Sequence, residues 1–244
     1  MPIPFEITYL SETESTNRYL RLLPTNEQHN IRVAVADFQT AGRGQRGNHW
    51  EAERGKNLLF SLELYPEKFL ASRQFELSEV FSIAVREVLK EYIEDVTIKW
   101  PNDIYYLDRK LAGILIEHDL SGAYIHRTII GLGLNVNQQT FCSDAPNPVS
   151  LKQITEQELD CHWLLQQILS RFYSLYHQLV SSTFNAFHSQ YIASLYHREG
   201  FHRYRRGQED FEARIEGIEP SGRLILLDIK GNERRFAFKE VAYL

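Results

Sequence analysis

The chain has 244 residues, with 27 Lys+Arg against 32 Asp+Glu, a formal net charge of −5 with histidine neutral. Hydrophobic residues at 43% and charged residues at 24% exclude a disordered chain, and the acidic total excludes a non-specific polyanion binder, which needs a basic surplus. Two cysteines, Cys142 and Cys161, exclude a disulfide scaffold and a four-thiolate zinc site and fit a reducing, cytoplasmic compartment.

From the N-terminus, Met1 to Glu6 shows no basic n-region followed by an apolar stretch, so no signal peptide is read. No apolar run approaches the ~20 residues that span a bilayer. Phe5 to Leu10 alternates and predicts a strand. Ser15-Thr16-Asn17 then offers a helix cap ahead of Tyr19, Leu20, Leu22 and Leu23, and Pro24 ends that short helix. Ile31 to Ala36 is rich in β-branched residues and predicts a second strand. Gln39 to Gly55 has no period and carries four glycines, the pattern of a functional loop. A strand resumes from Asn57 to Tyr65.

Leu77, Val80, Phe81, Ala84, Val85, Val88 and Leu89 recur at three- and four-residue steps, which predicts an amphipathic helix over 75–92. Val96 to Trp100 reads as a strand stopped by Pro101, followed by strands at 104–106, 110–117 and 124–134. Residues 159–180 and 183–197 predict two further helices. Beyond Gly207 three alternating segments, 211–215, 224–229 and 235–241, are separated by turns at Pro220-Ser221-Gly222 and Lys230-Gly231-Asn232. The expected fold class is α+β: a mixed sheet with packed helices over 1–198, then a small barrel-like β module over 199–244. About 40 residues make only a marginal core, so that module should pack on the larger domain.

Gly42-Arg43-Gly44-Gln45-Arg46-Gly47 spells G-x-G-x-x-G. A dinucleotide site needs a helix directly after the glycines, whereas Asn48-His49-Trp50-Glu51 and then a strand follow here. What remains is a glycine-rich loop with two arginines, suited to carboxylate or phosphate, or a plain surface loop. Lys99, at the end of a strand and before Trp100-Pro101-Asn102-Asp103, is placed to hold an anion or to snorkel to solvent. Gly131-Leu132-Gly133-Leu134-Asn135 allows close approach of a ligand with an amide that can pair a purine edge, or forms a bulge or turn. Nine histidines are scattered without metal-ligand spacing. His197, Arg198, His202, Arg203, Arg205 and Arg206 form a basic cluster, either a solvated linker or a landing place for an acidic partner. No nucleophile motif or P-loop occurs.

Five runs stand in order: Glu14-Ser15-Thr16-Asn17, Gln39-Thr40-Ala41-Gly42-Arg43-Gly44, Lys99-Trp100-Pro101-Asn102-Asp103, Arg109-Lys110-Leu111-Ala112-Gly113-Ile114-Leu115-Ile116-Glu117, and Gly131-Leu132-Gly133-Leu134-Asn135. Together they resemble the biotin–protein ligase family, and the terminal β module resembles that family's SH3-like domain in pattern. The resemblance implies a fold like the class II aminoacyl-tRNA synthetase and biotin ligase catalytic domain. It also implies an enzyme that uses ATP to convert biotin to biotinyl-5′-AMP and then transfers it to a lysine of a biotin carboxyl carrier domain in a biotin-dependent carboxylase.

Under that resemblance Ser15, Thr16, Asn17 and Gln39 would meet the ureido ring of biotin, and Gly42, Arg43, Gly44 and Gln45 would close over its carboxylate. Gly113, Ile114 and Leu115 would wall its apolar ring. Lys99, with Arg43, would stabilise charge on the reacting carboxylate and α-phosphate. Arg46, Trp50, Asn102, Lys110 and Asn135 would serve the adenylate, Trp50 by offering a face to adenine and Asn135 by reading its edge. Asp103 would stand beside the phosphates or Mg²⁺, which comes with ATP and for which no ligand set is assigned. The family pattern has arginine where this chain has Gln45. The first motif begins at residue 14, so no DNA-binding domain and no DNA partner are expected; nor is a membrane partner, and the chain is expected as a monomer or homodimer. The alternatives are a lipoate or octanoate–protein ligase of the same fold, and a non-catalytic protein-binding module.

Overall fold

The computed structural model describes residues 5–25, 31–44, 49–142, 147–182 and 186–244. A seven-stranded sheet forms the body, built from β1 (Phe5–Leu10), β2 (Ile31–Ala36), β3 (Leu58–Leu64), β4 (Val96–Lys99), β5 (Asp103–Tyr106), β6 (Arg109–Ser121) and β7 (Tyr124–Leu134). Their order across the sheet is β1-β2-β3-β7-β6-β5-β4. β1 runs parallel to β2, and the other neighbours are antiparallel.

Side-chain alternation assigns the two faces. On β3, Phe60 meets Phe81 of α2 (Gln74–Leu89), with ring centroids 6.4 Å apart. Its neighbour Ser61 points the other way, to Thr16 and Asn17 of α1 (Thr16–Leu22). The α2 face is the main core: Leu77, Val80, Phe81, Ala84, Val85 and Val88 are buried against the sheet and against α4 (Cys161–Ser181), where Phe172 stands 5.2 Å from Phe81. α1 covers the opposite face through Leu20, packed with Ala34 and Ile129.

The C-terminal part forms a five-stranded antiparallel sheet from β8 (His202–Arg206), β9 (Glu209–Ile218), β10 (Leu224–Asp228), β11 (Glu233–Phe236) and β12 (Ala242–Tyr243), in the order β11-β10-β9-β8-β12. Its buried Tyr204, Ile215, Leu226 and Phe236 belong to the same apolar core as the large sheet. Trp100 Nε1 donates to Gly222 O at 2.9 Å, and the Trp100 ring meets Phe238 edge-on. The module packs on the body, as its small size requires.

Several expectations change. The helix expected over 183–197 is the shorter α5 (His188–Ala193), with residues 183–185 outside the described set. A short helix α3 (Leu151–Thr155) adds to the expected elements, its start fixed by a capping box of Ser150 and Gln153. Three terminal strands become five: the basic cluster is itself partly strand, as β8, and the chain end adds the two-residue β12. In β8, Tyr204 alone is buried, too little apolar signal for a period-2 pattern. Its charges are locally spent: Arg205 and Arg203 pair with Asp210 across β9, and Arg198 donates to Ile215 O. The cluster is not a linker, since residues 202–206 are strand. Ser15 does occupy the N-cap of α1, but its side chain makes no capping bond.

Two histidines give the fold a pH dependence. Glu79, fully buried on α2, holds His188 Nδ1 at 2.7 Å, and this bond raises the His188 pKa above its ordinary value. Its stabilising effect is complete below about 6.5 and is lost as pH climbs through the raised value. His197 behaves oppositely: burial, with His202 beside it, lowers it to about 4. The unfolded chain then binds the extra proton, so stability falls as pH drops from about 6.5 toward 4. We expect a melting temperature that declines on both sides of a maximum. His188→Gln should flatten the alkaline limb alone in a thermal scan across pH, and an unchanged limb would remove His188 from that role.

Candidate active site

A cavity of about 610 Å³ opens on the α1 side of the large sheet. Its floor comes from β6 and β7, and the reason is legible in the alternation of β7. Leu132 and Leu134 point into the core, while Gly131 and Gly133 fall on the cavity face. Neither glycine has a positive φ, so they mark no bulge or turn; what they provide is clearance. A Cβ on Gly131 would collide with Asn17 Oδ1. One on Gly133 would stand 2.5 Å from the Trp50 ring, and one on its cross-strand partner Gly113 would stand 2.8 Å from the same ring. Trp50 therefore lies flat on two bare backbones, with its Nε1 buried and unpaired.

One end of the cavity is polar but uncharged. Thr16 and Asn17, both buried at the start of α1, line it with Ser15 and Gln39. Gln39 Oε1 accepts the Thr16 backbone N–H at 2.7 Å, which fixes the long loop against the helix. The other end is charged. Lys110 Nζ sits 2.6 Å from Asp103 Oδ2 and 5.7 Å from the Trp50 ring, with Asn102 beside them. Asn135 closes that end: its Nδ2 donates to Val149 O at 3.1 Å, and its Oδ1 is buried without a partner. A buried acceptor in that state is costly unless a ligand donor reaches it. Ile114 and Leu115 line the wall between.

Ser15, Thr16, Asn17, Gln39, Arg43, Gly44, Trp50, Asn102, Asp103, Lys110, Gly113, Leu115 and Asn135 thus converge on one cavity. Gly42 stands just behind, its carbonyl accepting the Trp50 N–H at 3.0 Å. Gln45 and Arg46 lie outside the described residues. Lys99 does not line the cavity. On β4 it shares a face with Thr97, opposite the buried Val96 and Ile98. Its Nζ lies 4.6 Å from the Tyr105 ring, 5.0 Å from Tyr243 and 5.7 Å from Tyr196, and donates to Tyr105 Oη at 3.2 Å. Burial there pushes its pKa below the ordinary lysine value. The cation that the cavity receives from these two motifs is Lys110.

The sequence did not reveal His49, Glu51, Phe141, Pro148 or Phe238 as lining residues. Phe238 comes from the C-terminal module, so a wall of the cavity is built by a segment a hundred residues from the motifs. Among the described residues no group of three metal-ligating side chains occurs. Burial pushes the Cys161 thiol up to about 11, away from nucleophilic use. Among the described residues no helix is long and apolar enough to cross a membrane.

The sequence matches the Biotin/lipoate A/B protein ligase family over residues 9–135. It is 39% identical over 142 residues to the bifunctional ligase/repressor BirA of Salmonella typhimurium, covering 58% of this chain and 44% of the relative. The chain spans about half the length of such relatives. It is 30% identical over 232 residues to the biotin--[acetyl-CoA-carboxylase] ligase of Paracoccus denitrificans, covering 92% of this chain and 95% of that one. Among solved structures, the biotin protein ligase of Aquifex aeolicus in complex with biotin and ATP superposes with a TM-score of 0.79 at 26% identity, covering 97% of each chain.

Proposed function

The chain belongs to the biotin/lipoate A/B protein ligase family, and on that premise we propose that it activates biotin with ATP and transfers it to a lysine of a biotin carboxyl carrier domain. One observation carries the choice of ligand. The cavity has an uncharged hydrogen-bonding end at Thr16 and Asn17, an apolar floor, and a lysine at the far end. Biotin has the same sequence of chemistry: a neutral cyclic urea, an apolar ring and chain, and a carboxylate. A lipoate or octanoate chain offers the Thr16–Asn17 end neither an N–H nor a carbonyl, so polar groups there would go unmatched.

In the first step a biotin carboxylate oxygen attacks the α-phosphorus of ATP, and the bond to the bridging oxygen breaks to release pyrophosphate. Negative charge concentrates between carboxylate and phosphate, where Lys110 acts as a fixed cation. Arg43 supplies a second cation from the loop above. Asn135 Oδ1, buried and unpartnered, accepts from the adenine amino group. ATP brings Mg²⁺, an ion that usually takes one or two carboxylates with substrate phosphates; Asp103, with Asn102 beside it, would hold it here. In the second step the carrier lysine amine attacks the carbonyl of the mixed anhydride and AMP leaves. Neither step uses a protein nucleophile, which fits a raised Cys161 thiol and an absence of nucleophile motifs. We assign catalysis to residues 1–198 and a supporting β module to 199–244, acting in the cytoplasm.

Mass spectrometry of a carrier domain incubated with the protein, biotin and Mg-ATP tests the reading. The expected result is one added biotinyl group and pyrophosphate release that depends on biotin. A lipoyl adduct in a parallel incubation with lipoate, or no adduct with either acid, would overturn it.

A further inference from the structure

Behind the polar end of the cavity runs a hydrogen-bond chain that joins three elements. Asn17 Nδ2 donates to Glu117 Oε2 at 2.9 Å, and Ser61 Oγ donates to Asn17 Oδ1 at 2.6 Å. Ser61 Oγ is 2.6 Å from Thr16 Oγ1, which in turn is 3.1 Å from Gln39 Oε1. Ser61 is wholly buried on β3 and does not line the cavity. Glu117 on β6 lies 3.6 Å from Arg21 of α1.

Counting protons gives this chain a direction. A carboxylate only accepts, so Asn17 must turn its amide nitrogen to Glu117 and its oxygen to Ser61. Ser61 has one hydroxyl proton, and Asn17 Oδ1 takes it. The short Ser61–Thr16 contact then requires the Thr16 proton. Thr16 Oγ1 is left with lone pairs alone toward Gln39 and the cavity. Gln39 Oε1 already accepts the Thr16 N–H and keeps a second lone pair. Thr16 Oγ1 and Gln39 Oε1 stand 3.1 Å apart, a contact that the one Thr16 proton serves only by leaving the shorter contact to Ser61. A ligand N–H entering between them satisfies both.

We propose that Glu117, acting through Asn17 and Ser61, sets the direction of this chain so that Thr16 Oγ1 and Gln39 Oε1 together accept one N–H of a cyclic urea. Glu117 and Ser61 are thus positioning residues for the urea head of biotin, an assignment that rests on the ligase reading above. Gly131 belongs to the same device, since a side chain there would displace Asn17 from between its two partners.

Glu117→Gln keeps the size of the side chain but lets either end of the new amide face Asn17, so the direction is lost. In a pyrophosphate-release assay KM for biotin should rise about tenfold, the loss of about one well-made hydrogen bond, while kcat and KM for ATP stay within about twofold. Ser61→Ala should give the same split, and calorimetric Kd for biotin should follow KM. Biotin methylated at a ureido nitrogen should be discriminated against by the wild type and less so by both variants. An unchanged KM for biotin in both variants overturns the proposal. So does a joint fall of kcat, ATP affinity and melting temperature, which marks a merely structural role. If the wild type neither binds biotin nor releases pyrophosphate with it, the ligase reading fails and the proposal falls with it; wild-type activity with unaltered variants sinks the proposal alone.

Discussion

Replacing Lys110 by alanine is expected to lower the rate of biotin-dependent pyrophosphate release by about 10²- to 10³-fold, the usual cost of removing a fixed charge aimed at developing negative charge. Lys110 enters the cavity from the first residues of β6, and its Cε lies 3.5 Å from the point a Gly113 Cβ would occupy. It therefore runs along the glycine floor, and Asp103 holds its ammonium at 2.6 Å. Both partners are partly exposed, with 23% and 32% of their side chains open to solvent. Water can serve Asp103 once the lysine is gone, so the fold should change little. The expected signature is a collapse of kcat with a melting temperature near that of the wild type. Lys99→Ala should differ in kind, because Lys99 is boxed by Tyr105, Tyr196 and Tyr243. Its removal empties a contact between the two sheets, and thermal stability should register it. Activity of Lys110→Ala within a few-fold of the wild type would remove it from the reaction.

Glu63→Ala should destabilise the fold by about 3–5 kcal/mol, the range for breaking a buried ion pair by removing one partner. Glu63 is fully buried in β3, whose other residues apart from Ser61 are apolar. Arg32 Nε donates to it at 2.7 Å, Arg127 Nη1 lies at 3.4 Å, and the Tyr65 hydroxyl donates at 3.1 Å. Taking the carboxylate away strands two guanidinium groups that are only 13% and 15% exposed. Arg127 keeps Asp119 as a partner; Arg32 keeps the Pro24 carbonyl. At about 2–4 °C per kcal/mol for a chain of this size, the melting temperature should drop by roughly 6–20 °C. Glu63→Gln, which keeps the shape and half of the acceptors, should fall between. A loss under about 2 °C for the alanine variant would show that the arginines find water or Asp119 without cost.

Much of this was legible in the sequence, for identifiable reasons. The helical period of Leu77 to Leu89 and the β-branched run of β2 are long enough to declare themselves. The motif residues converge because each sits at a strand end or helix start that faces the same side of one sheet. What stayed hidden depends on contacts that no local pattern encodes. Lys99 and Lys110 look alike in sequence, each at the end of a strand; only the face assigned by alternation separates the tyrosine box from the cavity. Ser61 is one hydroxyl in an apolar strand, and its importance comes from what α1 lays against it. Phe238 reaches the cavity through the docking of a second sheet. Glu117 was visible as part of a motif, but its task was not, since that follows from counting protons across three elements.

The alternation of Gly131-Leu132-Gly133-Leu134 has one further consequence. Pocket and core are written on the same strand, out of phase by a single residue. Deleting any one residue upstream in β7 would turn the leucines into the pocket and the glycines into the core, so that substrate space and hydrophobic packing fail together. Any change of ligand preference that keeps this fold therefore has to keep the phase of this strand, with no insertion or deletion within it.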